Sequence, residues 1–190
     1  MCKEMGADVT IYKVLDKMFE LALKGDKDCG GLLSYNYVSG EPVTGFTDGA
    51  PLFVRKADDK FNLANVMRMH LYSAFATLEV GLDIMLKEEK VKVDTLFGHG
   101  GYFKTEGVGQ RLAAAACNAP ISVMQTAGEG GAWGCALLAG YMVNKAEGET
   151  LDEYLANKVF HGEKGSVMQP DPADVAEFHE QMLKESDFLQ

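Results

Sequence analysis

Residues 91–144 repeat one pattern: an apolar run, a glycine cluster, then a helix-like stretch. The first copy reads VKVDTLF, then GHGGYFKTEGVG, then QRLAAAAC; the second reads ISVMQ, then TAGEGG, then AWGCALLAGYMVN. The spacing predicts a strand over 91–97 and a helix from a Thr105 cap through Ala116, closed before Pro120. It predicts a second strand over 121–125 and a second helix opened by residues 128–131 and running to about Asn144. Strands and helices that alternate must bury their apolar sides against each other, which requires a layered α/β domain.

The flanking sequence fits such a domain. Ile11, Val14, Leu15, Met18, Phe19 and Ala22 make a helical stripe, with Thr10 as cap and Gly25 as stop. LLSYNYV predicts a strand over 32–38, and a short one follows at 52–55. Residues 61–87 carry the longest helical stripe, from Leu63 to Leu86, with Asn62 as cap and the charged KEEK run as its end. Thr150 and Glu153 form a capping-box pattern, and Asp171 with Pro172 opens a last helix with Val175, Phe178 and Met182 inward. The polar stretch 161–171 reads as a linker. The expected organisation is a main lobe over 1–160, followed by a linker and helix over 161–190.

The formal charge is −10 over 190 residues, which repels nucleic acid and anionic membranes at long range. A local backbone dipole or a cation can still favour an anionic ligand inside a cleft. Cys2, Cys29, Cys117 and Cys135 form no CxxC pair and read as free thiols, which suits the cytoplasm. His70, His99, His161 and His179 lack metal-ligand spacing, so no metal site is expected from them. No apolar run is long enough to cross a bilayer as a helix.

The glycine clusters carry the chemistry. In open α/β sheets, ligands bind beyond the carboxyl ends of the strands. Gly98, Gly100 and Gly101 remove side chains at one such end, and Gly128, Gly130 and Gly131 do so at the next. A helix follows each, and its N-terminus favours an anion. Two such loops could wall one nucleotide or phosphate pocket. Turn geometry alone can also call for such glycines, and neither loop has Walker A or Rossmann spacing.

Three stretches carry a family resemblance. LLSYNYVSGEP at 32–42, HLYSAFATLE at 70–79 and the whole of 97–140 resemble, in order, the C-terminal half of the FGGY carbohydrate kinases. This group includes xylulokinases, ribulokinases and glycerol kinases. The resemblance spans about residues 10–158 and implies an actin-like ATPase, ribonuclease-H-like domain with a mixed sheet flanked by helices. It implies that Gly98, Gly100, Gly101 and Phe103 lie at the nucleoside of ATP, with Gly130, Gly131 and Ala132 lining the same pocket. Mg²⁺ would arrive with the nucleotide. Lys104 is expected in solvent, and His99 stands where the family usually has glycine.

The resemblance further implies transfer of the γ-phosphate of ATP to a carbohydrate hydroxyl, with a pentulose such as xylulose or ribulose as acceptor. The family's GDxxxA-type motif, which holds its catalytic aspartate, does not occur here. Its N-terminal sugar-binding lobe is therefore the expected partner, and no catalytic residue is assigned to this chain. The isolated chain is expected to be inactive. The alternative is a non-catalytic nucleotide-binding or interaction module that kept the fold. A lobe separated from its partner would expose apolar surface around Tyr35, Tyr37, Phe46 and Phe53, which a homo-oligomer could cover.

Overall fold

The computed structural model describes residues 9–124, 130–161 and 165–188, with side chains described to residue 184. Gln125 and Gly128, expected at the end of the second strand and the start of its helix, lie outside the described residues, as does Cys2.

Helix α1 spans Ile11–Ala22, and the Thr10 hydroxyl accepts from Lys13 N at its start. Strands β1, Leu33–Tyr35, and β2, Leu52–Val54, pair antiparallel as a small separate sheet. Helix α2 covers Leu63–Asp83, with Asn62 accepting from Asn65 N at 2.9 Å, and runs on into a π turn at Ile84–Glu88. Strand β3 is Leu96–Phe97, α3 is Val108–Cys117 and β4 is Ile121–Val123. Then come α4, Gly130–Asn144, and α5, Leu151–Tyr154, which carries the expected Thr150–Glu153 capping box and continues into a π turn at Leu155–Val159. Strand β5, Ser166–Met168, and α6, Pro172–Phe188, complete the chain.

The main sheet has the order β3-β4-β5, with β3 parallel and β5 antiparallel to β4. The register aligns Leu96, Ile121 and Met168 across the sheet. All three belong to the core, and Ile121 is fully buried. Side chains alternate faces along a strand, so Phe97, Ser122 and Val167 stand together on the other side. Helices α1, α2, α3 and α6 pack around one core, whose largest fully buried side chains include Tyr72, Phe178, Leu32, Met69 and Leu112. Tyr72 meets Phe178 edge to face at 5.0 Å. The Ala113–Ala116 run is wholly buried, so small side chains let α3 approach its neighbours closely.

Five expectations need correction. The strand expected over 91–97 is limited to its last two residues, because only Leu96 and Phe97 find a partner in β4. Thr105 does not cap α3. Its hydroxyl donates to Asp16 on α1 at 2.8 Å, and the helix starts three residues later at Val108, after a Gly107 cap held at φ 74°. Part of the stretch read as a linker forms β5 and completes the sheet. The inner face of α6 is Asp174, Phe178 and Gln181, while Val175 and Met182 are only half-buried. Of the four aromatics expected at an exposed face, Phe46 and Phe53 are exposed, Tyr37 is half-buried and Tyr35 is buried.

Candidate functional site

β3 and β4 run parallel, so their carboxyl ends lie at the same end of the sheet; the first glycine cluster follows β3, and Gly130 and Gly131 open α4. Gly98 N donates to Ser122 O at 2.8 Å, which fixes the first loop to the neighbouring strand. A Cβ placed on each glycine separates two kinds. On Gly98 it would lie 2.6 Å from the Phe103 ring, and on Gly130 it would lie 2.8 Å from the His99 Cβ. These two glycines make room for the protein's own side chains. On Gly100, Gly101 and Gly131 it would meet nothing within 4 Å. Gly100 also takes φ 100° and ψ −177°, a region essentially reserved for glycine. Its turn is therefore specific to glycine as well as open.

Of the seven residues expected at the site, Gly100, Gly101, Gly131 and Ala132 present open or exposed surface. Gly98 is buried, and the half-buried Phe103 ring covers it. Lys104 is exposed, as expected.

The loop is anchored by a residue that sequence reasoning passed over. The Tyr102 hydroxyl donates to Leu71 O at 2.9 Å, and its ring packs edge to face against Phe75 at 4.7 Å and Phe19 at 5.7 Å. Burial pushes the Tyr102 hydroxyl far above the usual phenol range, so it stays protonated and able to donate. Gly109 admits this arrangement, because a Cβ there would fall 2.2 Å from Tyr102 O. Gln110 is a second such residue. Its Nε2 donates to Ile121 O at 2.7 Å and Ser166 O at 2.9 Å, and its Oε1 accepts from the Ser166 hydroxyl at 3.0 Å. One buried amide thus ties α3 to β4 and β5. A glutamine inside an apolar helical stripe was the only available signal.

Two clefts flank the strand ends. A polar one of about 580 Å³ is lined by Phe103, Lys104, Glu106, Gly107, Gln110 and Ser166, among others. A second, of about 590 Å³, is mainly apolar and is lined by Phe97, Trp133, Phe160 and Val167 with Met124, Gly165, His99 and Ser122. Both lie within the range of roughly 300–1,000 Å³ typical of small-molecule sites. Among the described residues, no cluster of three or more His, Cys, Asp or Glu could hold a metal ion, and no helix is long and apolar enough to cross a membrane.

The geometry agrees with what is known of other proteins. Residues 4–143 match the model of the FGGY family of carbohydrate kinases, C-terminal domain. The fold is similar to a ligand-bound xylulose kinase from Lactobacillus acidophilus, with TM-score 0.66 and 18% identity over 90% of this chain and 33% of that one. A xyloylose kinase from Brucella ovis gives TM-score 0.68 and 18% identity over 98% of this chain and 36% of that one. A Plasmodium falciparum glycerol kinase with ADP gives TM-score 0.66 and 16% identity over 90% of this chain and 33% of that one. No curated protein matches the sequence. The chain spans about a third of the length of the solved kinases it resembles. Helices around a small mixed sheet fit the actin-like ATPase fold of these kinases. The chain belongs to the FGGY family of carbohydrate kinases, as its C-terminal domain.

Proposed function

We propose that this chain is the ATP-binding C-terminal lobe of a sugar kinase. The observation that carries the reading is the open main chain at Gly100 and Gly101, in the loop after β3, and at Gly131, in the first turn of α4. Bare backbone lets a nucleoside approach within hydrogen-bonding distance of N–H and C=O groups. The residues present therefore fit the ligand. Gly100, Gly101, Gly131 and Ala132 would hold the nucleoside, and Gly98 with Phe103 and Gly130 with His99 would shape the loops behind them. ATP, when bound with Mg²⁺, supplies the γ-phosphoryl group for a carbohydrate hydroxyl such as that of a pentulose.

Phosphoryl transfer depends on positioning and electrostatic stabilisation. This chain's share is to seat and orient the nucleotide. The base for the sugar hydroxyl and the sugar site belong to an N-terminal lobe, its partner. Cys117 is a buried free thiol, which suits a cytoplasmic protein.

Calorimetric titration of the 190-residue chain with Mg·ADP tests the reading. Binding is expected, and Gly101→Val should abolish it with the circular dichroism spectrum unchanged. No binding to the folded wild type would overturn the assignment. The same pure chain should not phosphorylate xylulose or ribulose; measurable turnover would show that the base lies within it.

A further inference from the structure

Helix α4 is short of polar groups on every side. Its 15 residues, GGAWGCALLAGYMVN, hold no charged side chain. A helix that is apolar all round is normally enclosed by its own fold, yet no residue of α4 is buried. Gly134, Leu137, Gly140 and Tyr141 are half-buried and mark the side turned toward the protein, where Tyr141 meets the Tyr154 ring at 5.5 Å. Helical spacing sets Cys135, Leu138, Ala139, Met142 and Val143 on the opposite side. All five are exposed, Met142 by 77% and Val143 by 83%.

We propose that this strip pairs with the same strip of a second copy of the chain, antiparallel about a two-fold axis at Ala139. The strip is small toward its start, at Cys135 and Ala136, and large toward its end, at Met142 and Val143. In the antiparallel register Met142 of one copy lies against Ala136 of the other, and Val143 against Cys135. Large meets small at both ends, the self-complementarity that a two-fold interface requires. A parallel pairing would set large against large. Ala139 at the axis lets the two helices approach to about 8 Å. Closing the contact desolvates no ion, and the strip offers no charge to an acidic or basic partner. With α4 about 22 Å long, the pair covers roughly 1,000 Å² in total, near the least that a specific interface needs. The dimer is therefore weak and reversible. The first turn of α4, with Gly131, lies past the end of the second copy's helix, so pairing leaves the glycine loops open.

Sedimentation velocity of the 190-residue chain, from about 1 to 200 µM, tests the pairing. A monomer–dimer equilibrium is expected, with Kd of about 10–100 µM. Each copy carries a formal charge of −10, so raising NaCl from about 0.05 to 0.5 M should tighten the dimer by screening the two bodies while the apolar contact persists. Val143→Asp should weaken it at least tenfold with the circular dichroism spectrum unchanged. Val38→Asp, between β1 and β2 at a position 82% exposed, should leave it unchanged. Ala139→Cys in a Cys135→Ser background should give a disulfide-linked dimer on mild oxidation, because the axis brings the two new thiols together. A monomer at every concentration, which would leave the strip to some other partner, overturns the proposal. So does a dimer that is indifferent to Val143→Asp or weakened by Val38→Asp instead. Failure of the Ala139→Cys variant to cross-link under conditions where it dimerises overturns the antiparallel register.

Discussion

The Arg111–Asp174 pair offers the clearest energetic test of how this lobe is held together. Asp174 on α6 is 5% exposed, and Arg111 on α3 grips both of its oxygens: Nε donates to Oδ2 at 2.5 Å and Nη2 to Oδ1 at 2.9 Å. The two helices are direct neighbours. Hydrogen bonds to charged groups contribute about 1.5–3 kcal/mol net. A fully buried pair would cost more to break, about 3–5 kcal/mol, but the Arg111 side chain is 48% exposed and would return to water. Asp174→Ala should therefore destabilise by about 1.5–3 kcal/mol. For a chain of this size that lowers Tm by roughly 3–12 °C. Urea unfolding of the wild type, Asp174→Ala, Arg111→Ala and the double variant gives the coupling directly. A coupling below about 0.5 kcal/mol would refute the reasoning. The pH dependence has a definite sign. The Arg111 guanidinium holds the Asp174 carboxyl below the usual carboxylate range, against a smaller opposing effect of burial. A depressed folded value means the stabilisation is present above the unfolded value of about 4 and is lost as pH falls through the folded one. The gap between wild type and Asp174→Ala should be constant from about pH 5 upward and shrink below about 4.

Three further outcomes follow from named contacts. Gly98→Ala should lower stability by about 1–3 kcal/mol by pushing on the Phe103 ring, whereas Gly101→Ala should leave urea unfolding within about 0.5 kcal/mol while weakening Mg·ADP binding by calorimetry; equal stability losses would contradict the inward and outward assignment. Burial pushes the Cys117 thiol up to about 11, so iodoacetamide at pH 8 should label the exposed Cys135 and spare Cys117 and Cys29, as read by peptide mass spectrometry. Gln110→Leu keeps the volume but strips three hydrogen bonds from β4 and β5; hydrogen exchange at 166–168 should rise by at least tenfold while α1 and α2 stay protected.

The parts of the fold legible in the sequence were those with a local cause. Thr10, Asn62 and the Thr150–Glu153 box start helices through contacts three residues away, and each was readable from residue type and spacing. Strand ends were not, because pairing decides them. Residues 91–95 alternate apolar and polar side chains as a half-buried strand would, yet β4 supplies partners only for 96 and 97. β5 is only three residues long, lies within a polar stretch, and exists because Ser122 and Gln110 receive it. The buried polar residues Asn65, Arg68, Gln110 and Gln181 were equally invisible. Arg68, Gln110 and Gln181 each bond a backbone carbonyl on a remote element or loop, Asn65 accepts from the remote Asp26 N, and no residue-level periodicity marks such a contact.

The glycine loops show the same division at the site itself. Their residue type says only that a side chain is unwelcome. Whether the excluded atom would have met a ligand or a neighbour depends on what folds across it, and that is a tertiary fact. Gly98 and Gly130 were as plausible as Gly101 from spacing alone, but Phe103 and His99 occupy the space their missing side chains leave. This pairing is itself informative. The half-buried Phe103 ring lies against Gly98 and His99 lies against Gly130, so internal packing adjoins the open backbone at Gly100, Gly101 and Gly131. Under the proposed nucleotide-binding role, a nucleoside arriving there would meet N–H and C=O groups already flanked by internal packing. The ordering entropy is then met during folding rather than on binding, which is why two inward glycines matter to the three outward ones.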